Sequence, residues 1–258
     1  MNYLNGRFVV EPFSEGLLYG MGVFETILVR DGQGEYLEEH FERLVKGSGV
    51  LDMDFDMSYL SFKNHIDLFI ERSSKTRYAL RVSVAKRSCT YDFMINERDI
   101  SYSEADYERG FKLKVGNLLK NPSSPLTYIK SICYTDNLLS LKKARKAGYD
   151  EVLHLNYRGE VCEGAVSNIF FVSRGIVKTP HSSCGLLEGI MRDKIIERLD
   201  KLEVKVQVGI YSLEDVLEAE EVFITNSLIG IMPVGEVEGR IKNSREIYRL
   251  IRSQMSSL

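Results

Sequence analysis

The sequence lacks a basic excess, which is the usual mark of a nucleic-acid binder. Its 34 Lys and Arg residues are scattered, and 37 Asp and Glu residues give a formal net charge of −3. Nucleic-acid-binding proteins instead concentrate basic residues on one face. The chain also lacks an apolar run near the ~18 residues of a membrane span, and it begins without the pattern of a secretory signal. No nucleic-acid or membrane partner is therefore expected, and the cytoplasm is the expected location.

Metal-site and disulfide patterns are missing as well. The cysteines have no short paired spacing, and the histidines have no ligand spacing. The sequence therefore predicts no metal site, and it predicts free, largely buried thiols. The cysteines are Cys89, Cys133, Cys162 and Cys184, and the histidines are His40, His65, His154 and His181.

The composition is that of an ordinary globular protein, with 44% hydrophobic and 28% charged residues. A chain of 258 residues is long enough for two modest domains. Two prolines and two serines make 121–125 the best linker candidate. The sequence predicts an N-terminal α/β domain over 1–118, a linker over 119–125, and a larger, β-rich C-terminal domain with helices over 126–258.

Hydrophobic periodicity predicts individual elements in the N-terminal half. A strand is expected over 23–30, and a helix from Leu37 that Gly47 and Gly49 end. Residues 88–109 lack a clean period and are expected to be irregular. In the C-terminal half, a strand presents Glu163, and a helix follows Gly189.

Three widely spaced features suggest one cofactor. Lys130 precedes a predicted helix, Glu163 lies in an otherwise apolar stretch, and Gly189 leads a helix start. A lysine amine can bond the aldehyde of pyridoxal phosphate (PLP), and a buried carboxylate needs a cation such as the protonated ring nitrogen. The N–H groups of a helix start suit the phosphate. Taken singly, each is more often a solvated lysine, a turn acid or a helix cap.

The chain resembles the class IV aminotransferases, which are fold-type IV PLP enzymes, nearly from end to end. The matching blocks occur in family order and spacing, which makes chance a poor explanation. They are Tyr19–Thr26, Glu39–Leu44, Lys130–Tyr134, Gly148–Val152, Glu163–Phe171, Thr179–Pro180, Leu186–Arg192, Phe223–Ser227 and Ile231–Val234. The resemblance implies a two-domain α+β fold similar to that of D-amino acid aminotransferase, and a homodimer.

The resemblance also implies roles for cofactor-binding residues. Lys130 matches the Schiff-base lysine, and Glu163 matches the partner of the ring nitrogen. The position of Tyr134 corresponds to a tyrosine that bonds the ring hydroxyl, and Asn168 would support the ring. The phosphate would be held by the family's arginine and two backbone segments, which correspond to Arg43, Gly189, Ile190, Met191 and Ser227.

On the substrate side, Tyr19 and Phe24 match pocket aromatics, although ordinary core packing explains them nearly as well. Arg81 or Arg87 would receive a substrate carboxylate, while a purely structural role is an equal alternative for Arg81. Met21 and Ser14–Glu15 depart from the family pattern, which has aspartate and aspartate–arginine at these places. These departures put the substrate pocket in question more than the cofactor site.

Two activities share this cofactor chemistry. The segments 121–139 and 226–234, and the short chain, resemble aminodeoxychorismate lyases of the folate pathway, which form 4-aminobenzoate and pyruvate. The alternative is an aminotransferase for branched-chain or D-amino acids with 2-oxoglutarate or pyruvate as acceptor. A protein that binds PLP without turnover, or a structural domain on this fold, is a third reading, which the intact lysine, glutamate and arginine set disfavours.

Overall fold

The structure is a computed structural model that describes residues 2–4, 7–9 and 14–255. It divides into two compact units: unit 1 contains residues 1–100 and 129–133, and unit 2 contains residues 101–128 and 134–258. The predicted division, with domains over 1–118 and 126–258 and a linker over 119–125, assigns 101–118 and 129–133 differently. The segment 101–118 belongs to unit 2 because its strand pairs with two strands there, and 129–133 belongs to unit 1 because its backbone bonds to a strand there.

Unit 1 contains six strands and three helices among the described residues. They are β1 (Asn2–Leu4), β2 (Arg7–Val9), α1 (Glu15–Tyr19), β3 (Gly22–Arg30), β4 (Gln33–Gly34), α2 (Leu37–Val50), α3 (Tyr59–Ile70), β5 (Arg77–Arg87) and β6 (Thr90–Arg98). Strands β1 and β2 form an antiparallel pair. The Asn-Gly sequence at 5–6 predicts a hairpin turn, but it lies outside the described residues. The other strands form an antiparallel sheet in the order β4-β3-β5-β6.

The core of unit 1 is formed where α2 and α3 pack on this sheet. Apolar residues of β3 and β5 are almost continuously buried, as in a sheet whose central strands are covered. Leu44 of α2 and Phe62 and Ile66 of α3 complete the cluster. Burial of this apolar surface is the main stabilising contribution to the unit.

Two predictions for unit 1 are wrong. Helix α2 passes through Gly47 and Gly49 and ends at Val50, and Gly47 packs so closely that an added Cβ would lie 3.0 Å from Val23 Cγ1. Residues 90–98 form strand β6 instead of an irregular stretch. Tyr91, Phe93 and Ile95 alternate along it and pack against the core, a two-residue period that predicts a half-buried strand.

Unit 2 contains the remaining elements. They are α4 (Glu104–Arg109), β7 (Phe111–Val115), α5 (Thr135–Lys146), β8 (Glu151–Leu155), β9 (Val161–Gly164), β10 (Asn168–Ser173), β11 (Ile176–Pro180), α6 (Ile190–Lys201), β12 (Val206–Gly209), α7 (Leu213–Leu217), β13 (Glu221–Asn226), β14 (Gly230–Val237), β15 (Arg240–Ile241) and α8 (Glu246–Met255), with short 3₁₀ turns at Pro125–Tyr128 and Ser182–Cys184.

A nine-stranded mixed sheet organises unit 2. Its order is β12-β11-β10-β13-β14-β7-β8-β9, with β15 paired to β14. One apolar cluster includes Leu113, Phe171 and Met232, and a second forms where α6 and α8 cover Phe170 and Phe223. Because β9 and β10 are joined by a short turn, the sheet brings the start of β10 close to the end of β9.

The cysteines are free, as predicted, but only two of them are buried. Cys162 and Cys184 are buried, whereas Cys89 and Cys133 are exposed, so the predicted burial is wrong for that pair. Cys133 lies beside the left-handed turn at Gly20, where an added Cβ would come within 2.3 Å of its Sγ. Within the described ranges, no helix is both long and apolar enough to cross a bilayer, and no cluster of three His, Cys, Asp or Glu side chains suits a metal ion.

Candidate active site

Lys130 is fixed by its backbone alongside β3. The Lys130 carbonyl accepts a hydrogen bond from the Phe24 N–H at 2.8 Å, and the Ile132 N–H donates to the Gly22 carbonyl at 3.0 Å. Ser131 forms an isolated antiparallel bridge with Val23. The backbone of Lys130 is therefore hydrogen-bonded to β3, although no helix or strand contains this residue.

The amine of Lys130 shares an aromatic ring with Arg81. Lys130 Nζ lies 4.7 Å from the centroid of the Phe24 ring, and the guanidinium carbon of Arg81 lies 3.7 Å from it. Arg81 stands opposite Thr26 in the β3–β5 pair, and its Nε donates to Ser83 Oγ at 3.3 Å. Two cations on one ring are attracted to the ring but repel each other. An anionic group beside them would relieve that repulsion.

Arg43 is held by a buried carboxylate of β3. Its Nε donates to Glu25 Oε1 at 2.8 Å and its Nη2 to Oε2 at 2.6 Å, a two-pronged pair. His40 Nδ1 lies 2.7 Å from the same Oε2. Burial alone would raise the pKa of Glu25, but Arg43 and His40 lower it to about 2. Burial also lowers the pKa of His40.

The other predicted substrate residues of unit 1 lie in different surroundings. Tyr19 is 70% exposed at the end of α1. Arg87 Nε donates to Asp92 Oδ1 at 2.8 Å, and at about 3.3 Å per residue it lies roughly 20 Å along β5 from Arg81. One substrate carboxylate therefore cannot engage both arginines. Two of the departures from the family pattern have structural uses here: Ser14 Oγ accepts from the Leu17 N–H, and Glu15 accepts from the Ser88 N–H. The contacts of Met21 do not explain the departure at that position.

Glu163, on β9, is buried and held from both oxygens. Oε1 lies 2.8 Å from Lys120 Nζ, and Oε2 accepts from the Leu187 N–H at 3.0 Å. The Leu187 carbonyl in turn accepts from Asn168 Nδ2 at 2.8 Å. One residue, Leu187, therefore links the Glu163 carboxylate to the first residue of β10.

The start of α6 meets β10 and β13 at an anion corner, which we define by Asn168, Gly189 and Thr225. A Cβ on Gly189 would lie 2.0 Å from Asn168 Oδ1, so only glycine fits. Asn168 pairs with Thr225 across the sheet. The fully buried Thr225 hydroxyl has no hydrogen-bond partner within the described part of the chain. Gly189 is the N-cap of α6, and no described side chain caps this helix.

The anion corner suits a phosphate. The first N–H groups of a helix have no partner within the helix, and they favour a negative group. Ile190 and Met191 begin α6, and Ser227 follows β13 in the turn before β14. Unit 2 therefore groups Glu163, Asn168 and these phosphate-side residues. Arg43, Lys130, Phe24 and Arg81 are grouped in unit 1.

Tyr134 is the residue before α5, and its hydroxyl donates to the Ala165 carbonyl. Asn137 Nδ2 donates to the same carbonyl at 2.8 Å. Both side chains therefore brace the turn between Glu163 and Asn168. The predicted bond from Tyr134 to a ring hydroxyl stays a prediction.

Sequence reasoning missed Glu151, which organises that same turn. This fully buried carboxylate accepts from the N–H groups of Val152, Ala165 and Val166 and from the Ser167 hydroxyl. Burial raises its pKa. A lone acid at the start of an apolar strand signals such a role, since a buried carboxylate needs donors. The same signal applies to Glu25 within β3, whereas no sequence pattern singles out Lys120.

The chain is similar to proteins of known sequence and structure. The family model described as amino-transferase class IV matches residues 22–237. A Methanocaldococcus jannaschii protein, provisionally named a branched-chain-amino-acid aminotransferase, is 33% identical in an alignment that covers 97% of this chain and 92% of that protein. The aminodeoxychorismate lyase of Bacillus subtilis is 28% identical in an alignment that covers 92% of this chain and 87% of that protein.

Solved structures share the fold. The crystal structure of 4-amino-4-deoxychorismate lyase from Pseudomonas aeruginosa matches with a TM-score of 0.84 and 25% identity, and the match covers 98% of this chain and 97% of that one. The predicted α+β fold of the type IV enzymes is therefore confirmed.

Proposed function

The chain belongs to the class IV aminotransferases, and from this premise we propose that it is a PLP-dependent lyase. The reaction converts aminodeoxychorismate to 4-aminobenzoate and pyruvate. The observation that carries the cofactor assignment is the contact pattern of two residues: the backbone of Lys130 is bonded to β3 and its amine lies near a second cation, and Glu163 is buried with a cationic partner. Both are the environments that the cofactor chemistry requires.

Each residue of the proposed site has its own role in binding the cofactor or in moving a proton. When bound, PLP supplies a ring that withdraws electrons from the substrate carbon that loses its proton. Lys130 is the group that holds the cofactor and then removes and returns that proton. Glu163 accepts the N–H of the ring and keeps it protonated. The helix start at Gly189, together with Ser227 and Arg43, binds the phosphate.

Arg81 is the residue that we assign to a substrate carboxylate. Its guanidinium and the Lys130 amine both contact the Phe24 ring. A carboxylate bound at Arg81 would therefore bring its carbon chain to the amine that acts on it. This feature serves an amino acid as well as aminodeoxychorismate, and it does not distinguish the two substrates.

The choice of the lyase rests on the segments 121–139 and 226–234 and on chain length. The match to the Pseudomonas aeruginosa lyase structure, which covers 97% of that chain, supports this choice. The 33% identity to the Methanocaldococcus jannaschii protein supports the second candidate, an aminotransferase.

A paired assay separates the candidates. The purified protein, loaded with PLP, is given aminodeoxychorismate, and 4-aminobenzoate and pyruvate are measured together. The same preparation is given L- and D-amino acids with 2-oxoglutarate or pyruvate. Equimolar release of the two products, absent in Lys130→Ala, is expected. Amino-group transfer with aminodeoxychorismate left intact would replace the lyase with the aminotransferase.

The active form is proposed to be a homodimer, as the family resemblance implies. Leu17, Leu18 and Tyr19 of α1 are consecutive exposed apolar residues, at 71%, 53% and 70%, a pattern that favours a partner surface. Sedimentation at assay concentration tests this proposal. Full turnover by a monomer would contradict it.

A further inference from the structure

We propose that Lys120 is the resident counter-ion of Glu163 and sets how strongly this carboxylate holds the protonated ring nitrogen of the cofactor. The inference rests on the proposed function, since it takes Glu163 to be the partner of that nitrogen. Lys120 is a positioning residue here, because it acts through Glu163.

The contact between the two side chains is close and largely shielded from solvent. Lys120 Nζ lies 2.8 Å from Glu163 Oε1, and the side chains are only 15% and 8% exposed. A buried carboxylate left without a cation is strongly unfavourable. In the protein without cofactor, Lys120 supplies the positive charge that Glu163 requires.

Lys120 is held in this position from two directions. Its backbone N–H donates to the Leu155 carbonyl at 2.9 Å, and it bridges to Asn156 beyond β8. Its ammonium also donates to Asn137 Oδ1 at 3.2 Å. Asn137 braces the turn that follows Glu163. The lysine is therefore part of the support of the carboxylate instead of a surface residue that happens to reach it.

The neighbouring titratable groups add no competing positive charge. Burial, with Lys120 nearby, lowers the pKa of His154 to about 4, so that this imidazole is neutral near pH 7. Burial raises the pKa of the Cys162 thiol, which is therefore uncharged. Asp136 acts on His154 with the opposite sign to Lys120. Lys120 and Glu163 thus form a pair of opposite charges with no net charge, which we call the neutral pair.

A neutral pair attracts a protonated ring nitrogen less than a lone carboxylate does. With Lys120 present, part of the Glu163 charge is already compensated, and the ring proton is held more weakly. Without Lys120, the apoprotein contains an uncompensated carboxylate, and the ring nitrogen becomes its first cationic partner. Loss of Lys120 should therefore destabilise the apoprotein and strengthen the contact with the ring nitrogen. A residue that only supports the fold would weaken both.

Binding of two compounds measures this contact. The probes are PLP and its carbocyclic analogue, in which carbon replaces the ring nitrogen, and the readout is the ratio of their dissociation constants. The wild type should prefer PLP, and in Lys120→Met the preference should grow about tenfold or more, the scale of one charge-assisted hydrogen bond. The Tm of the Lys120→Met apoprotein should fall by about 4 °C or more.

Lys114→Met is the matched control. Lys114 Nζ lies 2.8 Å from Glu238 Oε2, but the side chains are 41% and 26% exposed, so the ratio should stay at its wild-type value. Lys120→Gln, whose amide still donates to Glu163, takes the place of Lys120→Met if the latter does not fold. Its preference for PLP should also exceed that of the wild type.

The outcomes distinguish the role of Lys120 from the role of Glu163. A wild-type preference for PLP that does not grow in either Lys120 variant overturns the inference and leaves the function of Glu163 standing. A wild type that binds both compounds equally overturns the role of Glu163 itself, and the inference falls with it.

Discussion

Two buried strand glutamates, Glu25 in unit 1 and Glu163 in unit 2, are held in different ways. Glu25 is bound by two nitrogens of Arg43 and contacted by His40. Glu163 has one lysine contact and one backbone N–H. An arginine fork fixes a carboxylate bidentately, whereas a lysine ammonium is a point charge on a flexible stem. The first arrangement suits structure, and the second leaves a carboxylate that a ligand can share.

The largest expected effect concerns Lys130, the lysine proposed to hold the cofactor. Lys130→Ala should reduce turnover by about 10³-fold or more, because the amine that bonds the cofactor and moves the proton is lost. Product formation in a single-turnover assay measures the loss. Since the role assigned to Lys130 is to bond the cofactor, the Tm of the protein without cofactor should change little. A large fall in Tm would assign the loss to folding.

A Glu→Gln substitution at Glu25 should act on stability. Glu25→Gln removes the charge that pairs with Arg43 and should lower the free energy of unfolding by about 3 kcal/mol, the usual scale for a broken buried pair. Urea unfolding at pH 7 measures it. An effect below about 1 kcal/mol would contradict a structural role for this pair.

The dependence of stability on acidic pH tests the structural role of Glu25 in a second way. The folded pKa of Glu25 is lowered to about 2 from an ordinary 4.5. A carboxyl group whose pKa is lower in the folded state than in the unfolded state stabilises the fold at any pH above the unfolded-state pKa. This contribution is lost as the pH falls toward the folded-state pKa. The wild type should therefore lose stability between about pH 4.5 and 2. The Glu25→Gln variant should lose less over this window.

At the other carboxylate, the same substitution should act on turnover. Glu163→Gln should reduce turnover by about 10²-fold or more while the protein stays folded, since the charge that keeps the ring nitrogen protonated is gone. Circular dichroism and kcat on the same sample decide this. Near-normal kcat in a folded Glu163→Gln protein would show that the contrast between the two glutamates is wrong.

The smallest expected effect concerns Arg81. Arg81→Ala should raise KM for the substrate about tenfold, the scale of one charge-assisted hydrogen bond, with PLP affinity nearly unchanged. Arg87→Ala is the matched control, because Arg87 pairs with Asp92 in the same strand. An equal rise in KM for both variants would remove the distinction between these arginines.

The sequence predicts the apolar central strands of this fold better than it predicts the side-chain contacts around them. The apolar runs of β3 and β5 are strong local signals. Helix α2 continues past Gly47 because packing against Val23 outweighs the helix-ending tendency of glycine. The alternation of Tyr91, Phe93 and Ile95 was a usable signal for β6.

Local sequence patterns do not predict which partners the charged residues will have. Lys120 meets Glu163 only because β8 and β9 lie side by side and Leu155 holds the Lys120 backbone. Arg43 is recognisable from its motif, but its pairing with Glu25 depends on the packing of α2 against β3. Such contacts are formed by tertiary structure, and no periodicity in the chain reports them.

Borohydride reduction tests the central claim most directly. Protein incubated with PLP is reduced, digested and mapped by mass spectrometry, and the pyridoxyl group should be found on the peptide that contains Lys130, with Lys120 unmodified. The absorbance of the bound cofactor should bleach at the same time. A label on another lysine, or no label in protein that binds PLP, would contradict the account.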